Sequence, residues 1–314
     1  MKKTLFNILK LLRVRQWIKN LAVFAAIVFT GQLFEIEIFQ KVFIGFLVFC
    51  ALSSAIYIVN DIFDIEKDRL HPFKKYRPLA HNDISINFAW ALAIILGAVS
   101  LYVGFFVTPA FFILLIIYCL LQLAYSFFLK NIAIVDVLAI AAGYILRVYA
   151  GEFASGFHIS VWLLMTTIAI SLFIAVGKRR SELTLVSRYS HSQIAAIRKS
   201  LSHYSERLLD VYASIFATST FITYSLFTFL ENPVGIKISF GLFLPDFLPV
   251  FFQKKWLMIT IIPVVYGLMR YLQDIYEKHE GESPEKVLLS DIPLLTTVVV
   301  WVVLVIGIIY FIGS

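Results

Sequence analysis

Long apolar runs separated by short polar segments dominate the chain. Nine runs approach the roughly 20 apolar residues that a membrane-spanning helix needs. They cover residues 18–33, 39–59, 88–106, 110–128, 132–150, 160–176, 209–230, 256–271 and 292–312. The runs lack the period-2 alternation of barrel strands, and a closed barrel is the other structure that can cross a bilayer. The pattern therefore predicts an all-α membrane protein with nine transmembrane helices.

Composition supports this prediction. Of the 314 residues, 60% are hydrophobic and 15% are charged, whereas soluble domains carry about 45–50% apolar and about 25% charged residues. Such a composition excludes a disordered chain, and the two cysteines exclude a disulfide framework. We expect residues 1–314 to form a single transmembrane domain.

The positions of the basic residues predict the orientation. Most of the 27 Lys and Arg residues precede the first run or follow the second, fourth, sixth and eighth runs. Because cytoplasmic loops are enriched in Lys and Arg, this places the N-terminus in the cytoplasm and the C-terminus outside. Residues 60–87 and 178–208 would form cytoplasmic cap loops, and residues 1–16 an amphipathic segment on the inner surface. The net charge of +7 is explained by this orientation and by anionic lipid, so we expect no nucleic-acid partner.

An acidic motif at the end of the second run is the first candidate site. At about 100° per residue, Asp61, Asp64 and Asp68 fall within one arc of roughly 60°, with Tyr57 in the arc and Asn60 at its edge. Crowded carboxylates repel each other unless a cation lies between them. Oxygen ligands of this kind suit Mg²⁺, which substrate phosphates complete. The alternative is a solvated helix end whose charges only terminate the span.

Basic residues follow this motif on a short loop. Lys74 and Arg77 lie between two prolines, beside the acidic face. A metal and neighbouring cations together suit a polyphosphate, because each neutralises part of its charge. The alternative is that these cations serve only the orientation of the chain, and for Lys75 we favour that explanation.

A second polar cluster is expected at the inner end of the sixth run. It contains Lys178 and Glu182, which are predicted i,i+4 partners, and the flanking Arg179. The topology places this cluster on the same side as the acidic motif. Polar residues of other spans meet the same membrane face, namely Lys19, Asn20, Tyr125 and Lys130.

Two ionisable residues lie inside the fifth run. A charge within a span costs about 2.5–3.5 kcal/mol on insertion scales, so each residue is a functional candidate. Asp136 lies about one turn in and is expected to pair with Lys130. For Arg147 two roles stay open: a substrate-binding residue, or an outer-leaflet arginine that extends to the membrane surface.

With these residues in hand, the chain resembles the UbiA superfamily of intramembrane prenyltransferases. The resemblance rests on the motif of Asn60, Asp61, Asp64 and Asp68, and on the Arg-Pro-Leu sequence at 77–79. Within the superfamily the chain is most similar to the decaprenyl-phosphate phosphoribosyltransferase branch, through residues 15–20, 71–74, 136–151, 177–183, 204–210 and 284–291. It departs from ordinary prenyltransferases of the superfamily after the sixth run, where they carry a second acidic motif and this chain has the cluster at 178–182.

The resemblance implies a UbiA-like bundle, Mg²⁺ as cofactor, and a multi-pass location in the bacterial inner membrane with a cytoplasmic active site. It implies transfer of 5-phosphoribosyl from phosphoribosyl diphosphate to a polyprenyl phosphate, for arabinose donors of the cell envelope. The expected catalytic residues are Asp61 and Asp64, and the expected metal ligands are Asn60, Asp61, Asp64 and Asp68. The expected substrate-binding residues are Lys19, Asn20, Tyr57, Lys74, Arg77, Lys130, Arg147, Lys178, Arg179 and Glu182.

Three other functions are alternatives to this one. The nearest is a prenyltransferase that moves a prenyl chain from prenyl diphosphate to an aromatic or other acceptor. A transporter is disfavoured because the charges gather at one face and the spans lack paired Gly/Pro breaks at mid-depth, and a scaffold would have no use for three aligned carboxylates. The sequence leaves open the prenyl chain length, the choice of direct metal ligands and whether the protein is a homo-oligomer.

Overall fold

The computed structural model describes residues 2–70, 74–186, 199–231, 255–277 and 284–312. Within these ranges the chain is helical and contains no β-strand. The α-helices described are α1 (Lys2–Leu11), α2 (Ala25–Phe29), α3 (Ile36–Phe63), α4 (Ile65–Leu70), α5 (Ile86–Val107), α6 (Pro109–Phe127), α7 (Val135–Ser155), α8 (Val161–Val186), α9 (Glu206–Leu230), α10 (Ile261–Tyr276), α11 (Pro284–Ser290) and α12 (Ile292–Gly307). Short 3-10 helices cover Val14–Phe24, Lys74–Tyr76, Leu129–Asn131, Lys199–His203 and Trp256–Thr260, and a π-helical turn covers Ile308–Ile312.

Eight helices in the described ranges are long and apolar enough to cross a membrane. They correspond to the second to ninth predicted spans and are α3, α5, α6, α7, α8, α9, α10 with its preceding 3-10 turn, and α12 with its π-helical turn. Their starts follow local sequence signals. Side chains of Ser85, Thr108, Ser205 and Asp291 accept hydrogen bonds from the first turns of α5, α6, α9 and α12, as N-capping residues do.

The first predicted span is divided into two elements. Residues 18–33 fall on the later part of the 3-10 helix Val14–Phe24, on α2 and on the turn that follows α2. At rises of about 2.0 and 1.5 Å per residue, the 3-10 helix and α2 together are about 30 Å long, close to the thickness of a bilayer's hydrocarbon core. The 3-10 helix Val14–Phe24 and α2 are together called the first segment. The first segment packs closely on α7, since a Cβ at Gly151 would overlap the carbonyl oxygen of Val23.

The helices surround a core of interlocking aromatic and aliphatic side chains. Phe49 of α3 packs edge-on against Phe111 and tilted against Tyr118 of α6. Outward-facing surfaces are also apolar: Phe106, Ile262 and Ile292 are 68%, 72% and 74% exposed. Large exposed apolar surfaces of this kind are not tolerated in water. The fold is therefore that of a multi-pass membrane protein.

Candidate active site

The acidic motif is brought to one end of the bundle by α3 and α4. Helix α3 ends at Phe63, and Asp64 forms the junction with α4. Asp61 and Asp68 are buried, and the same guanidinium nitrogen of Arg77, Nη1, lies 3.0 Å from Asp61 Oδ1 and 2.6 Å from Asp68 Oδ2. Asp61 and Asp68, two of the three carboxylates that the helical spacing places in one arc, therefore share a face.

A second arginine also contacts this motif. The Arg13 guanidinium forms an ion pair with Asp61 Oδ1 and lies 4.9 Å from the centre of the Tyr57 ring. Burial lowers the pKa of Arg13, but the charges of Asp61 and Tyr57 outweigh this and raise it above its ordinary value. Arg13 has a left-handed backbone (φ 53°) where α1 meets the 3-10 helix. The sequence analysis did not single out Arg13, and no local signal marks an arginine for that conformation.

Asp64 faces a different partner from the other two carboxylates. Its Oδ2 lies 3.5 Å from Lys130 Nζ. Both side chains line a cavity of about 220 Å³ between the ends of α3 and α6, together with Asn60. The remaining lining residues are Ile56, Val59, Phe63, Leu123, Ser126, Phe127 and Asn131. The cavity thus combines an acidic group, an amide and a cation.

The motif does not form a metal cage made by protein alone. Within the described ranges, no three His, Cys, Asp or Glu side chains are grouped closely enough to hold a metal ion. Arginines pair with Asp61 and Asp68, whereas Asn60 and Asp64 line the cavity. Mg²⁺ commonly binds one or two carboxylates and takes its other ligands from water and substrate phosphates. These residues fit such an ion, and direct contact of Asp61 or Asp68 with metal stays a prediction.

The second polar cluster is organised around Arg179, which is 0% exposed. Its Nε lies 2.6 Å from Asp136 Oδ2, its Nη2 donates to Tyr125 Oη at 2.8 Å, and its Nη1 bonds to Glu182. Two pairings expected from the sequence are thereby corrected. Glu182 pairs with Arg179 rather than with Lys178, and Asp136 pairs with Arg179 rather than with Lys130. The i,i+3 contact is favoured because Arg179 points inward, between α7 and α8.

Asp136 also fixes the segment that precedes α9. Its carboxylate accepts hydrogen bonds from Ser200 Oγ at 3.1 Å, Tyr204 Oη at 2.7 Å and the Val137 amide at 2.9 Å. Ser200 Oγ in addition lies 2.9 Å from the carbonyl oxygen of Lys130. Through Ser200, the buried Asp136 therefore positions the backbone of Lys130, whose side chain is the cation of the cavity.

Arg147 lies in the middle of the bundle and is only 4% exposed. Its Nε donates to Asn20 Oδ1 and its Nη2 to Tyr118 Oη, both at 2.8 Å, and Nη1 bonds to the carbonyl of Gly143. Asn20 is fully buried and donates to Ser53 Oγ at 3.3 Å. The outer-leaflet alternative for Arg147 is therefore wrong, because its polar partners hold it inside the bundle.

Lys19 forms an ion pair that the sequence did not indicate. Its Nζ lies 2.9 Å from Oε2 of Glu285 on α11, which is 8% exposed. Burial raises the pKa of Glu285, but the charge of Lys19 outweighs it, so the pKa lies below its ordinary value. Lys178 acts on Glu285 in the same direction. The side chain of Lys74 lies outside the described residues.

Comparisons with known proteins identify the family of the chain. The profile of the UbiA prenyltransferase family matches residues 21–290. Decaprenyl-phosphate phosphoribosyltransferase from Mycolicibacterium smegmatis is 34% identical over 99% of this chain and 94% of its own length. The protein of the same name from Mycobacterium tuberculosis is 32% identical over 94% of this chain and 92% of its own length.

The fold has a solved counterpart. A UbiA homologue from Archaeoglobus fulgidus, bound to GPP and Mg²⁺, superposes with a TM-score of 0.68 at 18% identity, over 96% of this chain and 99% of the homologue. Family match, full-length relatives and fold lead to the same conclusion: the chain belongs to the UbiA prenyltransferase family.

Proposed function

We propose that the protein transfers a 5-phosphoribosyl group from phosphoribosyl diphosphate to a polyprenyl phosphate and releases diphosphate. Full-length relatives that bear the name of this activity support the proposal. The observation that carries it is the combination of one acidic motif, with Lys130 beside Asp64, and a separate cationic position at Lys19 and Lys178. The lipid product would serve the synthesis of arabinose donors for the cell envelope.

The charge distribution of the donor matches this arrangement. Phosphoribosyl diphosphate is anionic at both ends, with a diphosphate on C1 and a phosphate on C5. It therefore needs neutralisation at two places, whereas a prenyl diphosphate is charged at one end only. Lysines on the first segment and on α8 supply a second cationic position, in the region where ordinary family members carry another acidic motif.

Mg²⁺ fits beside Asn60 and Asp64, with Asp61 and Asp68 as further proposed partners. When bound, the ion neutralises oxygens of the diphosphate and thereby stabilises its departure. Lys130 and Arg77 lie next to these ligands, and we propose that they bind the remaining diphosphate oxygens, together with Lys74. Binding in this cavity fixes the orientation of the leaving group.

The remaining residues hold the reactants for displacement at C1. Lys19 and Lys178 would bind the sugar phosphate and the lipid phosphate, with Tyr57 beside them. As the C1–O bond to diphosphate breaks, positive charge develops on the ribose ring, and a phosphate oxygen of the lipid forms the new bond to C1. The nucleophile is already an anion and needs no general base, so positioning and charge stabilisation supply the rate. Arg179, Glu182, Asn20 and Arg147 would act by positioning these groups, given the bonds they make within the protein.

We further propose nine spans, with the first formed by the 3-10 helix Val14–Phe24 and α2. The N-terminus and the caps at 60–87 and 178–208 would be cytoplasmic, in the inner membrane of a bacterium. The excess of Lys and Arg on that side supports this orientation. The exposed Leu5, Phe6 and Leu9 of α1 would enter the inner membrane surface.

A donor assay tests the proposal. Purified protein is supplied with labelled phosphoribosyl diphosphate and polyprenyl phosphate, with and without Mg²⁺, and in parallel with prenyl diphosphate and an aromatic acceptor. We expect labelled lipid from the sugar donor only, and only with Mg²⁺. If the label is transferred from prenyl diphosphate and not from the sugar donor, the protein is instead an ordinary prenyltransferase. The match to the UbiA prenyltransferase family supports this alternative.

A further inference from the structure

A buried polar cluster lies where α8, α10 and α11 meet the first segment. Its ion pair joins Lys19 to Glu285 at 2.9 Å. Tyr271 of α10 packs in the same hydrophobic cluster as Val287, which lies on α11 with Glu285. Gly177 of α8 lets α10 approach closely, since a Cβ there would lie 3.3 Å from the Tyr271 hydroxyl. The neighbouring Lys178 thereby joins the same region.

One polar atom of this cluster is left without a hydrogen bond. Among the described residues, the buried Tyr271 hydroxyl has no hydrogen-bond partner, and its side chain is 7% exposed. Leaving such a group unsatisfied is unfavourable. Glu285, whose carboxylate is buried against Lys19, lies in the same cluster. A ligand with hydroxyl groups would satisfy the Tyr271 hydroxyl and would give the Glu285 carboxylate hydrogen bonds beside its ion pair.

The cluster is connected to the acidic motif through the 3-10 helix Val14–Phe24. Arg13, at the start of this helix, pairs with Asp61 and lies over the Tyr57 ring. Lys19, further along the same helix, pairs with Glu285. A donor whose diphosphate binds at the acidic motif would therefore extend its sugar toward Glu285.

Resting on the proposed function, we infer that Glu285 determines donor specificity by accepting hydrogen bonds from the ribose hydroxyls, with the Tyr271 hydroxyl as a second partner. The two oxygens of a carboxylate match a pair of neighbouring hydroxyls, and charged acceptors form the stronger hydrogen bonds. Lys19 and Lys178 together carry two positive charges, and Glu285 neutralises one of them. One positive charge is therefore left for the sugar phosphate. A prenyl diphosphate has no hydroxyl and would make none of these hydrogen bonds.

Binding of two sugar phosphates tests this inference without turnover. The dissociation constants of ribose 5-phosphate and 2-deoxyribose 5-phosphate are measured calorimetrically on the purified full chain. For the unmodified protein we expect about tenfold or greater preference for the ribose form, because a hydrogen bond to a charged group is lost in the deoxy form. In Glu285→Ala the two ligands should bind equally. Lys286→Gln, an exposed change on the same short helix, should retain the preference.

A purely structural role of Glu285 predicts a different outcome. It would weaken both ligands equally, and the charge-reversed pair Lys19→Glu with Glu285→Lys would restore them. Glu285→Gln keeps the side-chain shape, so it provides the same comparison if the alanine variant does not fold. If Glu285→Ala or Glu285→Gln still prefers ribose 5-phosphate to 2-deoxyribose 5-phosphate, the inference is wrong. If the unmodified protein forms no ribosyl lipid in the donor assay, the proposed function fails instead.

Discussion

Replacing Arg179 with methionine should destabilise the fold more than it weakens donor binding. The guanidinium is fully buried and contacts Asp136, Glu182 and Tyr125. Removing one partner of a buried ion pair costs about 3–5 kcal/mol. Asp136 keeps three other donors, and Glu182 is 15% exposed and can reach water. The free energy of unfolding should therefore fall by about 3 kcal/mol, near the lower end of that range. This corresponds to roughly a hundredfold change in the folding equilibrium constant.

Lys178→Met is the matched comparison on the same helix. Lys178 is half-buried and is proposed to bind phosphate, so its loss should raise the donor KM and leave stability nearly unchanged. Thermal unfolding in detergent can be followed with a thiol-reactive dye in a Cys119→Ser background, because Cys50 is 1% exposed whereas Cys119 is only partly buried. An Arg179→Met protein that unfolds like the unmodified one, with a raised donor KM, would refute a positioning role for Arg179.

Three further predictions concern packing, pH and metal. Gly151→Ala should lower the unfolding temperature strongly, because its Cβ would overlap the backbone of the first segment, whereas Gly97→Ala, with open space around it, should not. In the folded state Lys19 lowers the pKa of Glu285 below its ordinary value of 4.5. The ionised carboxylate therefore stabilises the fold fully above pH 4.5, and this stabilisation is lost as the pH falls through the pKa of the folded state. Glu285→Gln should flatten that part of a curve of stability against pH. Chelation of Mg²⁺ should abolish transfer reversibly, and Asp64→Ala should lose activity while retaining expression and its unfolding temperature; loss of folding would indicate a structural role instead.

Periodicity and local signals predicted most of the helical framework. Eight of the nine expected spans appear as single apolar helices in the described ranges. Asp61 and Asp68 share a face because α4 continues the rotation of α3 past Asp64, whose carbonyl still accepts from the Asp68 amide at 2.8 Å. These features depend on residues close in sequence, and that is why the pattern predicts them.

Partners that lie far apart in the chain could not be predicted in this way. Arg13 reaches Asp61 through a left-handed backbone, and Glu285 reaches Lys19 across most of the chain. Neither pairing has a local signature. The division of the first span likewise reflects its close contact with Gly151 of α7, which only the folded bundle reveals.

Partner choice among buried charges was also beyond the sequence. Helical spacing allows Glu182 to meet either Lys178 or Arg179, and the inward direction of Arg179 decides between them. Asp136 was expected to pair with the nearby Lys130, but the packing of α7 on α8 brings Arg179 closer. In both cases tertiary packing selects one of several pairings that are compatible with the local geometry.

The most direct test is a cryo-electron microscopy structure with Mg²⁺ and phosphoribosyl diphosphate bound. The account predicts the diphosphate in the cavity beside Asn60, Asp64 and Lys130, with the ribose directed toward Lys19 and Glu285. Density for the donor at a site that touches neither the acidic motif nor this ion pair would contradict it.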